Sequence, residues 1–257
     1  MSSQKLSKAP LVEAILEVRW KLTEQAPGVA TDPKYKVLVG RLYDRLESVY
    51  PFHEPLPTAS MPDEMLSYVV QHRFRSAENK WPLVQVGPGV VTLNETKNYT
   101  WDDFEGRCHE LIKHLFDAYP DAARSLVIAG LQLRYIDAVP FEFNRDDILA
   151  FMADKLKIHL AFPQKMFQDA PIRSLPAGFN LLSSFPITNP KGAIRLRFTR
   201  GMRDNRDALM WETVVQSDGA DVPEMPAGFQ VWLDGAHTLT HDLFFKLIEG
   251  PLEESFR

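Results

Sequence analysis

The side chains best suited to chemistry are charged residues carried on alternating segments. They are Glu13, Glu17 and Arg19 on the first, Gln71, Arg73 and Arg75 on a second, Gln132 and Arg134 on a later one, then Arg195 and Arg197, then Glu212. A period of two puts such residues on one face of a strand. In an antiparallel sheet covered by helices on one side, they line the opposite face together, provided the registers align. Clustered arginines recognise phosphate or carboxylate groups through paired N–H donors, and neighbouring glutamates hold a divalent cation or a partner's arginines. The plainer outcome is a solvated face on which opposite charges pair across strands, each pair contributing about 0.2–1 kcal/mol.

Other chemistry is sparse. A closed sheet would turn the charged face into a tunnel of the kind that cleaves triphosphates, but Glu13-x-x-x-Glu17 departs from the Glu-x-Glu-x-Lys strand pattern expected there. His237 and His241 stand four apart and would share a helix face, a weak candidate pair for a metal ion. They lack the His-Glu-x-x-His form and an identifiable third ligand, so hydrogen-bonded or surface histidines are the simpler reading. No Gly-x-Ser-x-Gly elbow, P-loop or Gly-x-Gly-x-x-Gly turn occurs, and Gly87-Pro88-Gly89 lacks the following helix that a phosphate cradle needs. The chain therefore offers no assigned catalytic residue and no cofactor, which points away from an enzyme. The single cysteine, Cys108, cannot form an internal disulfide and reads as a small, partly buried apolar residue of a reducing cytoplasm.

The elements that must position the charges follow from periodicity and punctuation. Residues 11–20 alternate as a strand. Asp32-Pro33 opens a helix, with Asp32 as N-cap and Val37, Leu38, Leu42, Leu46 and Val49 as its buried stripe. The Pro-rich stretch 51–62 reads as a loop. Strands are expected over 65–75 and 82–95, the second bent or bulged at Gly87-Pro88-Gly89. A helix over 101–119 stops at Pro120, and a strand over 126–141 completes the half. The order β-α-β-β-α-β is that of a split-βαβ, ferredoxin-like unit with helices on one side of the sheet. Residues 146–257 then read as a helix over 146–159, a loop over 162–176, a three-strand meander (179–188, 193–202, 208–217) and a last helix over 229–249 broken at Gly250-Pro251. The class is α+β, with residues 1–145 and 146–257 as two related halves of one body.

Composition bounds the rest. A chain of 257 residues with 45% apolar and 25% charged residues can bury a real core. A net charge of −5 argues against a duplex-DNA binder. No uninterrupted apolar run of about 18 residues predicts a membrane span, and no apolar segment behind the first lysines predicts a secretory signal.

Lys8-Ala9-Pro10-Leu11-Val12-Glu13-Ala14-Ile15-Leu16-Glu17-Val18-Arg19-Trp20 resembles the start of a sporadically distributed, uncharacterised family of bacterial and archaeal proteins of similar length. Further matches follow in order: Pro82 to Pro88 with Asn94, Tyr99-x-Trp101-x-x-Phe104, Leu133-Arg134-Tyr135-Ile136-Asp137, and Ala236-His237 with Phe244. The family more often carries asparagine where this chain has Asp137. It brings no established reaction or ligand, and its patchy distribution is similar to that of accessory, defence or toxin-antitoxin genes. Two classes of function follow. One is a non-enzymatic, antitoxin-like or accessory protein that holds another protein on the charged face or an edge strand. The other is a binder or hydrolase of a phosphorylated small molecule or nucleotide, using the arginines and glutamates above. A homodimer through an edge strand or the last helix stays open.

Overall fold

In the computed structural model, which describes residues 6–96, 98–168, 171, 172 and 175–257, Leu11–Trp20 forms β1 and fully buries Ala14, Leu16, Val18 and Trp20. β2 (Thr23–Ala26) and β3 (Val29–Thr31) make a small separate hairpin before α1 (Tyr35–Leu46). The helix proper starts at Tyr35, two residues later than Asp32-Pro33 suggests, yet Asp32 makes the capping contact expected of it: its Oδ1 accepts from the Lys34 amide at 2.9 Å, while Trp20 Nε1 at 2.7 Å and the Tyr119 hydroxyl at 3.0 Å also donate to its carboxylate. Tyr35, Leu38, Leu42 and Leu46 form the buried stripe. Val37 and Val49 are 54% and 49% exposed: the helical period turns Val37 away from the sheet, and Val49 lies past the helix end.

The stretch read as a loop contains β4 (Phe52–Pro55), a short edge strand in which the proline's missing N–H matters least. β5 (His72–Arg75) is shorter than expected. The expected single strand over 82–95 is instead two, β6 (Leu83–Gly87) and β7 (Val90–Glu95). Pro88-Gly89 joins them, Gly89 taking φ +80°, the value a type II turn requires at its third residue. α2 (Trp101–Ala118), α3 (Ala122–Ser125) and β8 (Ile128–Pro140) follow.

The second half runs α4 (Ile148–Leu156), β9 (Asn180–Thr188), β10 (Lys191–Arg203), β11 (Arg206–Asp218), α5 (Phe229–Ile248) and α6 (Pro251–Phe256). Asp147 caps α4 by accepting from the Leu149 and Ala150 amides. Asp204 and Asn205, both at positive φ, close the β10–β11 hairpin as a tight primed turn. Part of the expected loop over 162–176 lies outside the described residues.

Among the described residues, one antiparallel sheet holds nine strands in the order β4-β5-β6-β7-β1-β8-β11-β10-β9. The halves join where β8 pairs with β11. Among the described residues β4 and β9 each pair on one side only, so the sheet is open and not closed into a tunnel. α1, α2 and α5 pack on Leu16, Val18, Leu93, Leu133 and Val215. A second cluster sets α4, α5 and α6 against Phe198, Leu209 and Trp211 on that same side of the sheet. Each large apolar side chain removed from water there contributes about 1.5–3 kcal/mol. Among the described residues no helix is long and apolar enough to cross a membrane.

Candidate functional site

Residues paired across antiparallel strands project on the same side, so register decides which charges meet. Glu17 pairs with Thr92 and Gln132, Glu13 with Ile136, and Arg19 with Val90 and Gly130. Arg134 and Arg195 both pair with Val214, and Arg197 pairs with Glu212. Arg73 pairs with Gln85, which pairs with Thr92. Glu13, Glu17, Arg19, Arg73, Arg134, Arg195, Arg197 and Glu212 therefore share one face, opposite the face on which Leu16, Leu133 and Val215 carry the helices.

The smaller polar side chains of this open face are sheltered. Thr92, Asn94 and Gln132 are 6%, 5% and 7% exposed although the helices pack on the other side. A loop closes over one end, where the Arg19 guanidinium lies 5.5 Å from the Tyr68 ring centre. The same loop crosses Gly87 so closely that a Cβ there would sit 1.9 Å from the Val69 carbonyl oxygen. Glycine at that position leaves the loop room to descend.

A chain of polar contacts runs across the strands at this end. Arg75 Nε donates to Glu54 Oε2 at 2.8 Å, and Arg73 reaches the other oxygen at 3.6 Å. Arg73 Nε donates to Gln85 Oε1 at 2.7 Å. The Gln85 amide donates to Thr92 Oγ1 and Asn94 Oδ1, the Thr92 hydroxyl donates to Asn94 Oδ1 at 2.7 Å, and Asn94 Nδ2 donates to Glu13 Oε1 at 2.9 Å. The Arg75 hydrogen bond holds the Glu54 carboxyl below its ordinary range. Glu54 escapes a reading of the sequence because β4 hides among prolines; Gln85 and Thr92 carry no charge to draw attention.

The other end is less balanced. Arg197 is 4.0 Å from Glu212 and donates from Nε to Asn180 Oδ1 at 3.2 Å. Arg134 donates from Nη2 to Gln132 Oε1 at 2.9 Å, while its Nε is shut from solvent and has no hydrogen-bond partner among the described residues. Arg195 has no hydrogen bond or ion pair among the described residues.

The remaining candidates lie on the helix side. His237 and His241 have ring centroids 5.7 Å apart, and among the described residues no group of three potential ligands forms around them. His237 Nδ1 is 3.0 Å from the Tyr135 hydroxyl, which is 2.9 Å from that of Tyr99. Burial, together with His241, lowers the His237 pKa to about 4. Tyr99, Trp101, Tyr135 and His237, distant in the chain, thus meet between α2, β8 and α5. Cys108 is fully buried, and desolvation pushes its thiol well above the ordinary range, which disfavours a nucleophilic role. Asp137, 3% exposed, is pushed up to about 7 by desolvation, against the opposing influence of Arg203.

No protein-family model matches the chain, and no curated protein matches it.

Proposed function

We propose that this chain is a non-enzymatic binding protein of the cytoplasm that holds another protein on the open face of its sheet. The observation that carries this reading is the convergence of Glu13, Glu17, Arg19, Arg73, Arg134, Arg195, Arg197 and Glu212 on one face opposite the helices. Charges held by strands and by one another are preorganised, so a complementary partner orders few side chains on docking. An accessory or antitoxin-like role is the form that the family resemblance suggests. The strand order β8-β1-β7-β6, with α1 and α2 in the connections, supports a split-βαβ, ferredoxin-like origin for the first half, to which β4 and β5 add an edge.

The test is affinity capture from the native host with the wild-type chain and with Arg197→Glu, a substitution at an exposed position of the face. A partner captured by the wild type and lost with the variant is expected. Recovery of the chain alone at every salt concentration, or capture indifferent to the variant, would overturn the reading.

A further inference from the structure

We infer that Arg134 and Arg195 form a phosphoryl-binding site over Val214 on the open face. The inference rests on the reading of that face as a recognition surface and names the chemical group it receives.

Three observations converge on it. Register puts Arg134, Val214 and Arg195 in one row on adjacent strands β8, β11 and β10, so the two arginine backbones are two strand spacings, about 10 Å, apart. Long side chains on either side of a valine can close over it from both directions. Val214 is 4% exposed although it lies opposite the helices, as it would be beneath two arginine stems.

The second observation is charge. Other arginines of this face have carboxylate partners: Arg19 with Glu17 at 2.7 Å, Arg73 and Arg75 with Glu54, and Arg197 with Glu212. Arg134 and Arg195 have none among the described residues. An oxyanion received between the two side chains would supply the negative charge that both lack.

The third is the Arg134 Nε, a donor shut from solvent with no acceptor among the described residues. A donor left in that state costs free energy, and an incoming oxygen reached by a small rotation of the guanidinium would satisfy it.

Phosphate chemistry fits better than a single carboxylate. One carboxylate presents two oxygens and is satisfied by one guanidinium fork, whereas a tetrahedral phosphoryl group has oxygens enough for paired donors from two forks. The chain's net charge of −5 also disfavours diffuse attraction of polyanions, so binding must come from this local pair.

The experiment is calorimetric titration of the full chain with inorganic tripolyphosphate and, separately, with O-phosphoserine at constant ionic strength. Saturable binding of at least one probe is expected, weakened about tenfold or more by Arg195→Gln. Arg134→Lys keeps the charge but loses the fork and should weaken it too, while Arg145→Gln, distant on a surface ion pair, should not. Tighter tripolyphosphate binding identifies a free polyphosphate compound as the ligand; tighter phosphoserine binding identifies a phosphorylated side chain of a partner. No saturable binding of either probe, or binding indifferent to both arginine variants, would overturn the site. If a captured protein partner is retained by the Arg134 and Arg195 variants while neither probe binds, this inference falls and the protein-binding reading stands. Probe binding that depends on the two arginines, without any captured partner, sustains the phosphoryl site and overturns the protein-binding reading.

Discussion

His237 lies flat on Trp101, with ring centroids 3.6 Å apart and planes 5° from parallel. The contact ties α5 to the first residue of α2, and the Tyr135 hydroxyl ties the same imidazole to β8. His237→Ala is expected to cost about 1–3 kcal/mol through lost ring contact and a phenol left short of a partner. The pH dependence has a definite sign. A histidine depressed from 6.5 to about 4 takes up a proton more readily in the unfolded chain, so its contribution is complete above pH 6.5 and is lost as pH falls toward 4. Urea denaturation should therefore show the gap between wild type and variant narrowing between pH 6.5 and 4; a constant gap would refute the assignment.

Asp137 behaves in the opposite sense. Its folded pKa is raised from 3.8 to about 7 by burial, so the folded chain holds the proton more tightly than the unfolded one. The resulting penalty is absent below pH 3.8, grows between 3.8 and 7, and is complete above 7. Asp137→Asn removes a charge that cannot be hydrated and is expected to stabilise the chain by a gain on the order of a few kcal/mol at pH 8, shrinking toward pH 4. Thermal melts of the two proteins at pH 5 and 8 give the comparison; equal differences at both would count against a buried carboxylate.

Asn94 carries the polar chain between β7 and β1. Asn94→Ala leaves the Gln85 amide, the Thr92 hydroxyl and Glu13 short of partners at a buried place in the sheet, and should cost about 1–3 kcal/mol. A double-mutant cycle with Glu13→Ala should return a coupling of about 0.5 kcal/mol or more. Additive losses would mean that the 2.9 Å contact contributes nothing in solution.

Gly87→Ala sets a methyl group against the backbone of Val69, which cannot swing aside as a flexible side chain can. A loss of about 1–3 kcal/mol is expected, with faster amide exchange in the loop at residues 66–70 and little change in the β10–β11 hairpin. Unaltered exchange at those amides would show that the loop does not need the glycine.

The charged face is legible in the sequence because its residues obey the period of two and sit on well-patterned strands. Glu13, Glu17 and Arg19 need only the alternation of β1 to be assigned to one side. Glu54 is not legible: its strand has four residues and ends in proline, too short for periodicity to register, and its contacts come from Arg73 and Arg75 across the hairpin. Asp32 is legible only in part. Its type and place announce the bond it accepts from the Lys34 amide at the helix start, but not the donors that Trp20 and Tyr119, far from it in the chain, bring to the same carboxylate.

The class of fold, the order of most elements and the side on which each charged residue falls are all local properties of this chain, because side-chain alternation and turn chemistry act within a few bonds. That β11 joins β8 rather than forming a second sheet, and that Arg134 and Arg195 flank one valine while their neighbours find carboxylates, emerges only once the chain is packed. Strand order and register are set by contacts between distant segments, and no local pattern records which strand will lie beside which.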